Sequence, residues 1–188
     1  SSQCQALVET WVSHANAMQR LGRAGRVRRG VCFQLFSFAT WEQNMLPYQI
    51  PEIQRSSLEH VVLQIRLLQL GVPSEFLMKT IDPPRKSLVN VSVNKLQEIK
   101  ALDAQQELTP LGLHLANLPL DAGLGKMLVY GTILGCIEPI LTIAAGLSTK
   151  SPFLNPINYR EKAREAKLSF SKADSDLLTI VNAYNQWF

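Results

Sequence analysis

Apolar residues with a helical period run through the middle of the chain and predict that it is mainly helical. Between residues 58 and 70 they recur at intervals of three and four, so they share one helix face. The members of this face are Leu58, Val61, Val62, Ile65 and Leu68, widened by Leu63, Leu67 and Leu70. Ser56 or Ser57 is predicted to cap this helix, and Gly71 is predicted to end it.

The elements that follow predict the order of a winged helix: helix, short helix, helix, wing and return helix. The residues behind this order are Ser74–Met78 for the short helix, Val89, Val93, Leu96 and Ile99 for the inner face of the helix after Pro83 and Pro84, residues 101–108 for a candidate two-stranded wing, and Thr109-Pro110 for the start of the return helix. The wing segment is short and polar, which suits a hairpin more than a helix.

From Leu118 onward the sequence predicts a bundle of helices. The predicted starts and faces are Asp121 as a cap, Glu138-Pro139 as a second start, a basic helix over residues 158–172, Asp174 and Ser175 as caps, and a last helix with Leu177, Leu178, Ile180, Val181, Tyr184 and Trp187. Gly131 and Gly135 are expected to let two helices approach closely.

Composition and cysteine usage exclude several classes of protein. Of the 188 residues 46% are hydrophobic and 18% charged, which favours a folded core over global disorder. Cys4, Cys32 and Cys136 form no CxxC pair, so we expect neither zinc nor disulfides, and we expect a reducing compartment, the cytoplasm or the nucleus. The apolar run 127–143 contains two glycines, Glu138 and Pro139, so no membrane span is predicted.

One octet carries the chemistry: Gln-Arg-Leu-Gly-Arg-Ala-Gly-Arg, residues 19–26. Arg23 and Arg26 are three residues apart, so a helix or tight helical turn brings them to one side. Gly22 and Gly25 let a ligand approach the backbone. Guanidinium groups donate in pairs to phosphate oxygens, and one well-placed arginine raises phosphoryl-transfer rates by a factor on the order of 10³–10⁵. A solvated basic loop is the plainer interpretation of the same residues.

The octet resembles motif VI of the DEAH/RHA group of superfamily 2 ATP-dependent RNA helicases. The resemblance implies that Arg23 and Arg26 contact the γ-phosphate of ATP, that Gln19 holds the γ-phosphate or the attacking water, and that Arg20 braces a domain interface. It also implies ATP and Mg²⁺ as ligands and ATP-driven 3′-to-5′ movement on single-stranded RNA. His14 follows Ser13 where the family usually has lysine, and we interpret it as a surface residue.

The resemblance covers nearly the whole chain and implies three domains. Residues 1–46 would end the second RecA-like α/β domain, with a last strand at residues 31–36 that buries Phe33 and Phe36. Residues 47–117 would form the winged helix, since residues 108–116 resemble its ending in the family. Residues 118–188 would begin the helical ratchet domain. Residues 7–13 and 173–184 look most like the ribosome-associated, translation-initiation branch, which suggests a ribosome or another RNA–protein particle as a partner.

Two motifs that ATP hydrolysis needs are not in this sequence. Neither GxxxxGK[ST] nor a DEAH-like tetrad occurs in this sequence. Residues 125–127 fail as a phosphate loop because the motif requires glycine where Leu120 stands and serine or threonine where Met127 stands. We interpret Lys126 as a helix-surface residue. We expect the chain to be a piece of a larger enzyme, inactive alone, whose first RecA-like domain holds most of the ATP and Mg²⁺.

Two rival functions remain open from the sequence. One is a non-catalytic winged-helix module that binds nucleic acid, since the net charge of +4 permits such binding without requiring it. The other is a helicase-like scaffold without turnover. RNA is the expected partner of the helicase, and the rival module would bind RNA or DNA. The basic stretch from Lys150 to Lys172 is a candidate contact surface, with a solvated helix face as the alternative.

Overall fold

The structure is a computed structural model that describes residues 9–154, 156–171 and 175–187. Within these ranges the regular structure is helical, apart from one isolated bridge between Leu102 and Leu108. The predicted mainly α class is confirmed. The described residues up to Ser56 form one compact unit, and those from Ser57 onward form another.

The helices are numbered here in chain order. The first unit contains α1 His14–Leu21, α2 Phe38–Asn44 and a 3₁₀ turn Glu52–Gln54. The second contains α3 Glu59–Leu67, α4 Pro73–Leu77, α5 Lys86–Glu98, α6 Pro110–Ala116, α7 Ala122–Ile133, α8 Ile137–Ser148, a 3₁₀ turn Ile157–Tyr159, α9 Arg160–Ser169 and α10 Asp176–Trp187. None of the helices in the described ranges combines the length and apolar character needed to traverse a bilayer.

The predicted strand at residues 31–36 is wrong. This segment has no regular secondary structure, and the side chain of Phe33 is 84% exposed rather than buried. Phe36 is half-buried and stacks on Trp41, with ring centroids 5.9 Å apart. A strand is stable only when neighbouring strands pair with it, and the described residues supply no such neighbour. The β-branched and aromatic residues here therefore lack the sheet that their composition favours.

The predicted apolar face of α3 is largely buried, where the helix packs on α4, α5 and α6. Leu58, Val62 and Ile65 are almost fully buried, together with Leu63, whereas Leu68 at the end of the predicted face is largely exposed. The helix begins after Leu58, without a serine cap, and the Ser57 hydroxyl instead donates to the Glu59 carboxylate. It ends at Leu67, four residues before Gly71, so the predicted cap and end were both displaced.

The wing is smaller than predicted and is closed by local hydrogen bonds. Asp103 Oδ1 accepts from the backbone N–H groups of Gln105 and Glu107, at 2.9 and 2.8 Å. These bonds make a tight turn, so the two expected strands reduce to the single bridge. Arg66 of α3 pairs with Glu107 across 2.9 Å and ties the turn to the helix.

The return helix α6 begins as predicted and packs without a gap on the wing. Thr109 caps it by accepting from Gly112 N at 3.0 Å, and the same hydroxyl donates to Lys100 O at 2.7 Å. A Cβ at Gly112 would lie 2.0 Å from Ala101 O, so only glycine fits there. Gln64 of α3 donates to Ala116 O at 2.6 Å and satisfies a carbonyl at the end of α6.

The later helices agree with the predicted bundle in most respects. Asp121 caps α7 by accepting from Gly123 N at 2.8 Å. Gly131 lies against Ile140 of α8, where a Cβ would be 3.0 Å from the Ile140 side chain, which confirms one of the two predicted close approaches. Gly135 does not pack and turns the chain at φ 68°. The predicted cap Asp174, together with Lys172 and Cys4, lies outside the described residues, while Cys32 and Cys136 are half-buried free thiols.

Candidate functional site

The first unit holds α1 in place through both its backbone and its side chains. The first two N–H groups of α1, which have no partner within the helix, donate to Leu46 O at 2.9 Å and Pro47 O at 3.1 Å. Ser13 is 3% exposed and caps the helix, accepting from Asn16 N at 3.2 Å. The octet therefore begins on a helix whose start is fixed by three independent contacts.

His14 is a packing residue, and its interpretation as a free surface residue was wrong. Its Nε2 lies 2.7 Å from Trp41 O, and its ring stacks on the Trp41 ring at a centroid distance of 4.1 Å. This contact joins α1 to α2. Because Trp41 is 27 residues away in the sequence, the partner was not visible in the local pattern.

The octet leaves α1 through a tight turn. Gly22 closes the helix, and the N–H groups of Arg23 and Ala24 donate to Arg20 O and Leu21 O at 3.0 and 3.1 Å. Gly25 then takes φ 79°, a conformation that glycine adopts without strain. Arg23 thus lies in a helical turn, and Arg26 follows the reversal of the chain.

Residues 22–30, called the arginine loop below, fold back on themselves. A Cβ at Gly30 would lie 2.9 Å from Gly25 N, so the loop closes where two glycines meet. The closed loop surrounds a depression of about 260 Å³, lined by Arg23, Gly25, Arg26, Val27, Arg28, Arg29 and Gly30. Four of its lining residues are arginines, and none is acidic.

The structure brings some of the sequence-predicted site residues together and leaves others apart. Arg23 and Arg26 line one depression and are exposed to solvent, and within the described ranges neither forms an ion pair. Gln19 and Arg20 are exposed on the last turn of α1 and do not line it. Their catalytic and bracing roles stay predictions.

Arg28 and Arg29 are lining residues that the octet did not single out. The available signal was the run of five arginines and no acid over residues 20–29. The whole stretch up to Ser56 has six arginines against three glutamates, so this unit is basic. No group of three His, Cys, Asp or Glu side chains suited to a metal ion occurs in the part of the chain that the structure describes.

Lys126, interpreted from the sequence as a surface residue, instead ends α5. Its Nζ donates to Ile99 O at 3.0 Å and lies 5.5 Å from the centroid of the Tyr130 ring. A cation at the C-terminus of a helix stabilises it by satisfying carbonyls and by opposing the helix dipole. The lysine thereby fastens α7 to α5.

Lys95 of α5 is partly exposed and is paired with two acids. Its Nζ lies 3.1 Å from Glu59 Oε1 and 3.8 Å from Asp121 Oδ2. Partial burial opposes the charged form, but the hydrogen bond and charge of Glu59, with Asp121 behind it, outweigh burial and raise the pKa of Lys95 above its ordinary value. The lysine joins α3, α5 and the start of α7.

The basic helix α9 presents charge to solvent, with some of it already neutralised. Arg160 and Arg164 are exposed, and Lys162 lies 6.0 Å from the centroid of the Tyr159 ring. Lys167 pairs with Asp176 at 2.9 Å. A second depression of about 220 Å³ lies here, lined by Arg164, Lys167, Leu168, Ser171, Asp176 and Thr179.

Comparison with known proteins matches this architecture to helicase-associated regions. Residues 96–120 match the family described as helicase associated domain (HA2), winged-helix, and residues 121–180 match helicase associated domain (HA2), ratchet-like. The boundary falls beside Asp121, at the start of α7.

Named helicases resemble the chain along its length. It is 49% identical over 188 residues to ATP-dependent RNA helicase DHX29 of Mus musculus, covering 100% of the chain and 14% of that protein. The protein of the same name from Xenopus laevis is 45% identical over the same shares. ATP-dependent DNA/RNA helicase DHX36 of Bos taurus is 47% identical over 180 residues, 94% of the chain and 18% of that protein. The chain thus spans less than a fifth of each relative, and it corresponds to a C-terminal segment of the DEAH/RHA-type helicases that includes their winged-helix and ratchet-like regions.

Proposed function

We propose that this chain is part of an ATP-dependent RNA helicase and that its arginine loop supplies Arg23 and Arg26 to the ATP site. The observation that carries the proposal is the loop itself: exposed guanidinium groups without acid partners among the described residues, at the end of a well-anchored helix. Similarity to ATP-dependent RNA helicases over the full chain supports the same conclusion.

The arrangement suits the stabilisation of charge on a transferring phosphoryl group. Gln19 and Arg23 are four residues apart across the end of α1, so they share one side of the helical turn. Arg26 reaches the same depression as Arg23 from beyond the reversal at Gly25. We propose that both arginines donate hydrogen bonds to the γ-phosphate of ATP, while Gln19 orients the γ-phosphate or the attacking water.

The rest of the ATP site belongs to other parts of the helicase in this proposal. The residues of the arginine loop fit the phosphates of ATP, but they include no carboxylate that could bind Mg²⁺. We propose that Mg²⁺ and the nucleotide base are held by the first RecA-like domain. On this basis the chain alone binds part of the ATP and does not hydrolyse it.

RNA contact is proposed for the basic helix α9 and its neighbourhood. Arg160 and Arg164 are exposed there, and they suit the phosphate backbone of single-stranded RNA. Movement in the 3′-to-5′ direction, a ribosome or another RNA–protein particle as partner, and a cytoplasmic or nuclear location complete the proposal.

The rival function, a winged-helix module that reads nucleic acid by itself, receives less support. In many winged and helix-turn-helix modules the second or third helix enters the major groove with polar and basic side chains. Here the middle of α5 exposes Asn90, Val91 and Asn94. Of its two lysines, Lys86 is the first residue of the helix and Lys95 is paired with acids. The wing turn, residues 102–108, has two acids and no basic residue, which disfavours contact with phosphates.

The test uses the full-length helicase that contains this segment. Arg23→Ala and Arg26→Ala are each expected to lower RNA-stimulated ATP hydrolysis by roughly 10³, while RNA affinity stays unchanged. Arg55→Ala is the matched control, because Arg55 is exposed in the same unit but outside the arginine loop. Wild-type turnover in both loop variants would exclude the proposed role.

A further inference from the structure

We infer that Arg28 and Arg29 extend the arginine loop into a four-guanidinium clamp for the polyphosphate chain of a nucleoside triphosphate. This inference rests on the proposed function but concerns residues outside the octet. It assigns Arg23 and Arg26 to the transferring phosphoryl group, and Arg28 and Arg29 to binding the phosphates before and during transfer.

The closed form of the loop is the first observation behind the clamp. Gly30 approaches Gly25 so closely that a Cβ at Gly30 would lie 2.9 Å from Gly25 N. This contact returns the chain to Gly25 after Arg28 and Arg29, and both residues line the same depression as Arg23 and Arg26. Sequence separation alone does not require this, because an open loop would direct the later pair elsewhere.

The charge of the loop is the second observation. Four arginines line one depression, and no acidic residue lines it or forms an ion pair with them within the described ranges. Mutual repulsion of these groups raises the free energy of the empty loop, and a multivalent anion removes that repulsion when it binds. Arginine also donates in pairs to phosphate oxygens, which lysine does not.

The size of the depression favours phosphates over a whole nucleotide. It measures about 260 Å³ and is open to solvent, so it can contact a few phosphate groups but does not enclose a whole nucleotide. Triphosphate groups share bridging oxygens and concentrate their charge in a small volume, whereas an RNA backbone has one charge per nucleotide. The occupant we infer is therefore the triphosphate, with the base and ribose lying outside the loop.

The first experiment measures binding of inorganic tripolyphosphate to the purified chain by calorimetry. We expect saturable binding that weakens at least about tenfold in Arg28→Gln and in Arg29→Gln. Arg55→Gln is the control and should bind as wild type does. Gly30→Ala keeps every charge but opens the loop, and it should weaken binding to a similar extent. No binding, or equal affinity in all variants, would overturn the clamp.

The second experiment separates the clamp from the role of the octet in the full-length helicase. Arg28→Gln and Arg29→Gln are expected to raise the KM for ATP about tenfold while kcat stays within about threefold, since they contact ground state and transition state alike. Arg23→Ala and Arg26→Ala lower kcat. Unchanged KM in the Arg28 and Arg29 variants would overturn the inference and leave the proposed function standing. A loss of RNA affinity with unchanged KM would overturn it in favour of RNA contacts.

Discussion

The close contact between Gly112 of α6 and Ala101 at the wing can be tested by adding one methyl group. In Gly112→Ala the new Cβ would lie 2.0 Å from Ala101 O. An ordinary contact between carbon and oxygen is about 3.3–3.6 Å, so the two backbones must separate by more than about 1 Å. The obstacle is backbone on both sides, and a side-chain rotation cannot relieve it.

The cost follows from the contacts that this separation disturbs. Overpacking of a well-filled site costs about 1–3 kcal/mol. The bonds from Thr109 N and Thr109 Oγ1 to Ala101 O, both 3.1 Å long, are worth about 1 kcal/mol each. Alanine returns about 1 kcal/mol as the better helix former. We expect a net loss of about 2–4 kcal/mol and a Tm lower by on the order of 10 °C for a unit of this size.

Urea and thermal unfolding of the purified chain, followed by far-UV circular dichroism, measure this loss. Leu113→Ala is the control, because Leu113 is the next residue of α6 and is 48% exposed, so its truncation should cost less than about 0.5 kcal/mol. Equal stability of Gly112→Ala and Leu113→Ala would refute the close packing of α6 on the wing.

Two further predictions concern the lysines that join α5 to its neighbours. Lys126→Met removes the ammonium group from Ile99 O and should lower the free energy of unfolding by about 1–2 kcal/mol, measured by urea unfolding. The control Lys150→Met should leave the free energy of unfolding unchanged. Equal free energies of unfolding in the two variants would show that the contact with Ile99 contributes little. The raised pKa of Lys95 predicts that its contribution is full below its ordinary pKa and is lost as alkaline pH rises through the raised value. Lys95→Met should flatten that alkaline part of the stability profile, and an unchanged profile would contradict the assignment.

Local signals in the sequence predicted the helices well because caps act over three or four residues. Ser13, Thr109 and Asp121 each accept a hydrogen bond from a backbone N–H two or three residues onward, as their residue types suggest. The predicted strand at residues 31–36 was wrong because a strand needs partner strands, which come from distant parts of the sequence. The wing is smaller than predicted because Asp103 Oδ1 accepts two local backbone hydrogen bonds, which close a turn that strand propensity does not reveal.

Residues whose partners are far along the chain were the ones that sequence reasoning misjudged. Lys126 and His14 are residue types that usually lie on the surface, yet each contacts a partner 27 residues away, Ile99 and Trp41 respectively. Arg23 and Arg26 line one depression, but the reversal at Gly25 brings Arg26 there in place of the predicted helical turn. The approach of Gly30 that adds Arg28 and Arg29 required the folded loop. The domain limits at 46/47 and 117/118 stay predictions.

The contact between Lys126 and Ile99 has a practical consequence for truncation. The winged-helix and ratchet-like families meet between residues 120 and 121, and that junction is an obvious point at which to divide the protein for expression. A cut there would leave the end of α5 without its ammonium donor and Lys95 without Asp121. It would also uncover Leu115, whose side chain packs against Gly125. Gly146 of α8 likewise lies against Ile180 of α10, so fragments that keep residues 57–187 together should stay soluble where those cut at residue 120 aggregate.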